Sequence, residues 1–258
     1  MSDQENLERN LAILEKHNVY GVLSGSREMV DAWMDSAPGR FLPGMAFRAS
    51  ANGPTPEDLV ALHEAGKLDV LSEITTQYVG IEPTGPELAP FWAALETSDI
   101  PAGIHVGTGP PGVIYLGSSN YRGRMHSALT MEEVLVAHPQ LRVYIMHAGF
   151  PMLDDMLALM YAHPQVYVDT GVIVYTQTRE SFYRYIKAIF DAGFGKRVMF
   201  GSDQMVWPET IERGIDVIND APFLTEQQKR DVLFNNAARF LRLSDDEIAR
   251  MHAANSED

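Results

Sequence analysis

A chain of 258 residues that is 45% hydrophobic can bury a substantial core, as one large α/β domain or as two smaller ones. Its formal net charge of −15 disfavours nucleic acid and anionic membrane surfaces, because a polyanion would approach against the field of the whole surface, and a small-molecule substrate suits it better. The absence of cysteine excludes disulfides, thiolate metal sites and cysteine nucleophiles, leaving His and carboxylates as the ligands open to a metal.

Ser2 to His17 reads as a helix capped by Ser2, with Leu7, Leu11 and Leu14 on one face. Val19 to Leu23 follows as a short strand, then a Ser24-Gly25-Ser26 turn and a helix from Arg27 to Asp35. Arg40 to Phe47 is the second strand, and Pro56 with Glu57 and Asp58 beside it opens a helix that turns Leu59, Leu62 and Ala65 inward. The strand Asp69 to Ile74 carries Glu73, and the helix over Glu87 to Thr97 groups Leu88, Phe91, Trp92 and Leu95.

Ala102 to Val106 holds His105 and runs into Gly107 to Asn120, a Gly/Pro/Ser-rich loop too long for a simple connector and expected to overhang a pocket. Thr130 with Glu133 forms a capping-box pattern for a helix to His138. The β-rich run Val143 to Met146 then delivers His147 to its end and turns at Gly149 and Pro151. Asp154 to Ala162 is helical, and its stripe of Met156, Leu157, Leu159 and Met160 reads as packing. Val166 to Thr170 is a strand, Arg179 to Ala192 a helix, and Arg197 to Ser202 a strand ending at Asp203. Helices over Pro208 to Ile218, Thr225 to Leu241 and Ser244 to His252 close the chain.

Seven strands alternating with helices, with no break in composition, predict a parallel sheet with right-handed crossovers in a single domain over 1–258, its C-terminal helices at 225–252. Neither GxGxxG nor a phosphate loop follows an early strand, which favours an α/β fold of the TIM-barrel type over an open doubly wound sheet. Barrel enzymes keep their chemistry at the carboxyl ends of the strands, and four polar residues recur there: Glu73, His105, His147 and Asp203. Arg122 and Arg124 follow the long loop, where a guanidinium can hold a substrate carboxylate bidentately. Gln204 and Trp207 read as pocket wall, and His17, His63, His126, His138, His163 and His252 as ordinary surface residues. No run approaches the roughly 18 apolar residues of a membrane span, and the acidic start MSDQENLERN is unlike a signal peptide, so the expected location is the cytoplasm.

The fragments GIHVG around His105, HPQLRVYIMHAGFP around His147, RVMFGSDQMVWP around Asp203 and FNNAARFLRL at Phe234 to Leu243 carry a resemblance. Their order and spacing are similar to those of the amidohydrolase-related family of metal-dependent (β/α)8 barrels, the group of aminocarboxymuconate semialdehyde decarboxylase and related hydrolases. The resemblance covers roughly Glu73 to Leu243. It implies an enzyme with a divalent metal, zinc or manganese, that hydrolyses a small carboxylic ester, lactone or amide, or decarboxylates a similar acid. Two arrangements stay open under it. In one, the metal lies among Glu73, His105 and His147, and Asp203 is the general base. In the other, closer to the family pattern, His105 and Asp203 bind the metal, Glu73 assists and His147 acts on the substrate.

The family's first strand carries an HxH pair that supplies two metal ligands, and no HxH occurs in this sequence. Counting back from His105 places that strand ahead of Met1, so the expectation is a barrel-like sheet of seven strands, with the missing one encoded upstream. A gap of one strand invites closure by narrowing, by the N-terminal helix or by a second copy in a homo-oligomer. Two further readings are a metal-independent lactonase using Asp203 and His147, and a metal-free barrel retained as a binding module.

Overall fold

The computed structural model describes residues 2–49, 53–107 and 109–253. In chain order its elements are α1 (Asp3–Lys16), β1 (Gly21–Val22), α2 (Arg27–Ser36), β2 (Phe41–Leu42), β3 (Gly44–Phe47), α3 (Pro56–Glu64), β4 (Val70–Ile74), α4 (Ala89–Thr97), β5 (Ala102–Ile104), α5 (Glu132–Ala137), β6 (Val143–Ile145), α6 (Leu153–Ala162), β7 (Val166–Asp169), α7 (Ile173–Thr176), α8 (Arg179–Asp191), β8 (Val198–Met199), α9 (Glu209–Asn219), α10 (Glu226–Arg230), α11 (Asn236–Leu241) and α12 (Asp245–Ala253). Two compact units emerge. One comprises Met1–Gly21, Trp33–Phe41 and Thr170–Asp258, and the other Val22–Ala32 and Leu42–Asp169.

The second of these is built on β3 to β7, all parallel and neighbouring in chain order. Their short apolar runs are buried on both faces, as parallel strands between helices require. The register lines Ile74 up with Ile104, Ile104 with Ile145, and Ile145 with Val168. Side chains alternate across a sheet, so Glu73 and His105, one residue to either side of that apolar row, share a face at the carboxyl ends. Two close approaches depend on glycine. A Cβ at Gly103 would lie 2.2 Å from Tyr144 Cζ and 2.5 Å from Ser72 O, and one at Gly44 would lie 2.0 Å from Leu23 O. Thr55 caps α3 through a capping box with Asp58, and Pro56 opens that helix as expected.

Three details depart from the sequence reading. The run Arg40 to Phe47 is two strands, because Pro43 has no N–H to donate to a ladder: β2 pairs with β1, while β3 joins β4. The described residues therefore hold eight short strands where seven were expected. The edge expected from Val19 to Leu23 is reduced to β1, although the chain beyond it still runs along β3, with Ala46 N donating to Gly25 O at 3.1 Å. Finally, Ser127 and not Thr130 leads into α5, through a 3-10 turn over Ala128–Met131 whose start the Ser127 hydroxyl caps.

The other unit is mainly helical. Ser2 caps α1, and Leu7 and Leu14 are buried along it. Arg9 pairs with Glu209, and Lys16 and His17 both reach Glu212, which fixes α1 against α9. Phe182, Tyr185, Ile186 and Ile189 form the buried stripe of α8 at helical spacing, each contributing about 1.5–3 kcal/mol by leaving water. Fully buried Asn236 spans the start of β8 with its side-chain amide, donating to Val198 O at 2.7 Å and Gly195 O at 3.0 Å. No helix among the described residues is long and apolar enough to cross a membrane.

Candidate active site

His105 follows β5 directly, and its backbone N–H donates to Ile74 O at 3.0 Å, which ties it to the end of β4. His147 lies just past β6 with φ of 58°, a left-handed conformation that a non-glycine residue adopts at a cost of about 1–3 kcal/mol. Asp169, at the end of β7, holds that turn by accepting from His147 N at 2.8 Å. Both rings are buried, and His147 Nε2 stands 3.0 Å from His105 Nδ1. Glu73 Oε1 lies 3.8 Å from the same Nδ1, while its Oε2 accepts from Ser24 Oγ at 3.2 Å.

This arrangement sorts the two nitrogens of His105. A carboxylate beside Nδ1 favours the tautomer with its proton there, which turns the Nε2 lone pair toward a buried position where nothing in the protein meets it. Burial, then the neighbouring His147 and His126, hold His105 well below the ordinary histidine range, so the ring is neutral at pH 7. The site thus presents a neutral, unpartnered imidazole nitrogen backed by a second imidazole and a carboxylate.

Aromatic side chains line the same unit. The Tyr78 ring packs on His105 with centroids 4.7 Å apart, and Tyr121 packs on Tyr78 at 5.5 Å. Tyr121 Oη donates to Gly107 O at 2.8 Å, accepts from Gly109 N at 2.9 Å and meets His126 Nε2 at 2.6 Å. That phenol therefore pins the start of the long loop after β5. His126, read from sequence as a surface residue, is half-buried in this cluster.

The other expected site residues stand as follows. Arg122 spends Nη1 on Ser119 O and Tyr121 O, both at 2.8 Å, and Arg124 is largely exposed, 3.9 Å from Glu82. In the helical unit Asp203 follows β8 with φ of 48°. Tyr175 Oη donates to Asp203 O at 2.8 Å, and burial together with the Asp203 charge pushes that phenol up to about 12. Trp207 is about half exposed, between Val206 and the start of α9. Asp169, Tyr78 and Tyr121 are not among the residues that the sequence singles out, and His126 is singled out only as a surface residue. Asp169 carries the same strand-end signal as His105 and could have been found by it.

A metal tests the donor set. Nε2 of His105 has the lone pair a metal takes, but Glu73 stands at the opposite nitrogen, where His147 already bonds. Among the described residues no group of three or more His, Asp or Glu side chains is placed to hold a metal ion, so these donors do not complete a metal shell.

No curated protein matches the sequence. Among solved structures, an uncharacterised TIM-barrel protein from Bordetella bronchiseptica superposes with a TM-score of 0.67 at 18% identity, over 90% of this chain and 82% of its own. A probable 2-pyrone-4,6-dicarboxylic acid hydrolase from Acinetobacter baumannii, solved with citric acid bound, gives 0.68 at 15% identity over 92% and 89%. A dihydroxybenzoic acid decarboxylase from Polaromonas sp. JS666, with bound manganese and the inhibitor 2-nitroresorcinol, gives 0.63 at 12% identity over 93% and 87%. These likenesses establish a fold of the TIM-barrel type. The amidohydrolase family model matches residues 2–243, nearly the whole chain. This protein belongs to the amidohydrolase family of enzymes, whose members are generally dependent on a divalent metal.

Proposed function

We propose that this protein, as one catalytic domain, hydrolyses a small carboxylic ester, lactone or amide, or decarboxylates a similar acid, with His147 and Asp203 as its acid–base residues. The observation that carries this reading is the buried His147–His105–Glu73 array with its one unpartnered nitrogen. His147, held 3.0 Å from His105 Nδ1 through its Nε2, is the first acid–base group, and His105 keeps its Nε2 lone pair for the metal. Asp203, held in a strained turn, is the second acid–base group.

Zinc or manganese is the proposed cofactor, on the strength of the family and of the manganese in the Polaromonas decarboxylase. Glu73, His105 and Asp203 are its proposed protein ligands, and Arg122, Arg124 and Trp207 the proposed substrate contacts. The incomplete donor set supports a second reading, a metal-independent lactonase that works through His147 and Asp203.

One experiment separates the two. Metal content is measured in the purified protein and in Glu73→Gln, His105→Asn and Asp203→Asn, alongside turnover of a panel of lactones, esters and aromatic acids before and after chelation. Bound zinc or manganese that the three variants lose, with turnover abolished by chelation, is the expected result. Metal at background in every variant, with lactone hydrolysis surviving chelation, would establish the second reading instead.

A further inference from the structure

Arg48 leaves the carboxyl end of β3, on the same edge of the parallel sheet as Glu73 and His105, and it is exposed. Its Nε donates to Thr75 Oγ1 at 3.3 Å, and that hydroxyl in turn donates to Phe47 O at 3.3 Å. The threonine proton is thus engaged elsewhere and its lone pair faces the guanidinium, which is fixed by a neutral partner. The guanidinium carbon lies 5.8 Å from the centroid of the Tyr78 ring, and Tyr78 packs on His105 at 4.7 Å. One tyrosine therefore touches both the cation and the imidazole whose Nε2 is unpartnered.

Among the described residues Arg48 has no carboxylate partner. Acids outnumber bases 35 to 20 in this chain, and Arg9, Arg27, Arg142 and Arg179 each take one. A guanidinium offers five N–H donors in a plane, and with Nε spent on Thr75 both Nη groups remain, the edge that grips a carboxylate bidentately. The two arginines expected from sequence are placed differently: Arg122 spends its Nη1 on loop carbonyls, and Arg124 faces Glu82 from a largely exposed position.

We propose that Arg48 is the specificity-determining residue of this site, binding the carboxylate of an acidic substrate whose body lies along Tyr78 toward the His105–His147 pair. The reaction at that pair rests on the hydrolase or decarboxylase reading; the anion site does not. Arginine is required because a lysine ammonium is a point charge without the planar fork.

Binding of benzoate and of benzamide, equal in shape and different in charge, to the full chain by isothermal titration calorimetry tests this. The wild type should prefer benzoate by at least about tenfold. Arg48→Gln should weaken benzoate by about tenfold or more while benzamide stays within about twofold, which also reports that the variant is folded, and Arg48→Lys should fall between. A wild type without preference, or an Arg48→Gln variant that keeps it, would overturn the assignment. Absence of turnover on the lactone and acid panel, with the Arg48-dependent preference intact, would overturn the reaction and leave the anion site standing.

Discussion

His147 reaches His105 across the ends of two adjacent parallel strands, Nε2 to Nδ1 at 3.0 Å, with both rings sealed from solvent. A single proton can occupy that contact, so the state of one ring sets the state of the other. His147→Gln removes the proton acceptor behind His105 while keeping a polar group of similar reach. Turnover should fall by about 100- to 10,000-fold, the range lost with a general acid or base. Circular dichroism should show the fold retained. A variant within about threefold of wild type would remove His147 from the proton path.

The glycine at 103 is a packing requirement. Any Cβ there meets the Tyr144 ring and Ser72 O well inside contact distance, and the carbonyl belongs to a neighbouring strand that cannot swing aside. Gly103→Ala should cost about 1–3 kcal/mol in denaturant unfolding. Since His105 lies two residues on, turnover should fall as well. Unchanged stability would mean that β4 and β5 can separate more freely than their register suggests.

Asn236 acts as a buried polar brace. Asn236→Leu strands the carbonyls of Gly195 and Val198, and Asn236→Asp sets a negative charge against them. The leucine variant should lose about 1–3 kcal/mol and the aspartate variant more, read from urea midpoints. If the aspartate is the better tolerated, those carbonyls have other donors available.

Acid stability should report on Glu96. Burial alone would raise its pKa, but hydrogen bonds from His138 Nδ1 and Gln140 N, with the His138 charge, outweigh burial and hold it below the usual carboxylate range. A depressed folded-state pKa contributes stability that is fully present above the unfolded value near 4.5 and lost as pH falls through the folded one. Glu96→Ala should therefore destabilise by about 2 kcal/mol near neutrality, with the gap to wild type closing below about pH 4. A gap that stays constant down to pH 3 would show that ionisation of Glu96 contributes nothing.

Much of the architecture follows from local chemistry. Short β-rich runs alternating with helical stripes, capped by Ser2, Thr55 and Ser244, specify a parallel β/α chain, because burial on both faces selects continuous apolar strands and capping depends on residues a few positions apart. The same alternation exposes Glu73, His105, His147 and Asp203 as strand-end residues before any contact is known. Pro43, which divides the one strand expected over Arg40 to Phe47 into β2 and β3, lacks an N–H to donate; which strand each half joins is decided by the fold.

What pairs with what was decided only in three dimensions. Strand register, set by Ile74, Ile104 and Ile145, brings His105 Nδ1 to within 3.0 Å of His147 Nε2 and 3.8 Å of Glu73 Oε1. Arg48 and Tyr78 lie 30 residues apart and carry no shared pattern, yet the sheet sets one over the other. Conversely Arg122, a natural choice by position, spends its Nη1 on its own loop. Sequence supplies the charges and the strand ends that carry them, because those are properties of single residues and short repeats; the partner of each charge depends on chain segments meeting across long separations, which only the packed fold fixes.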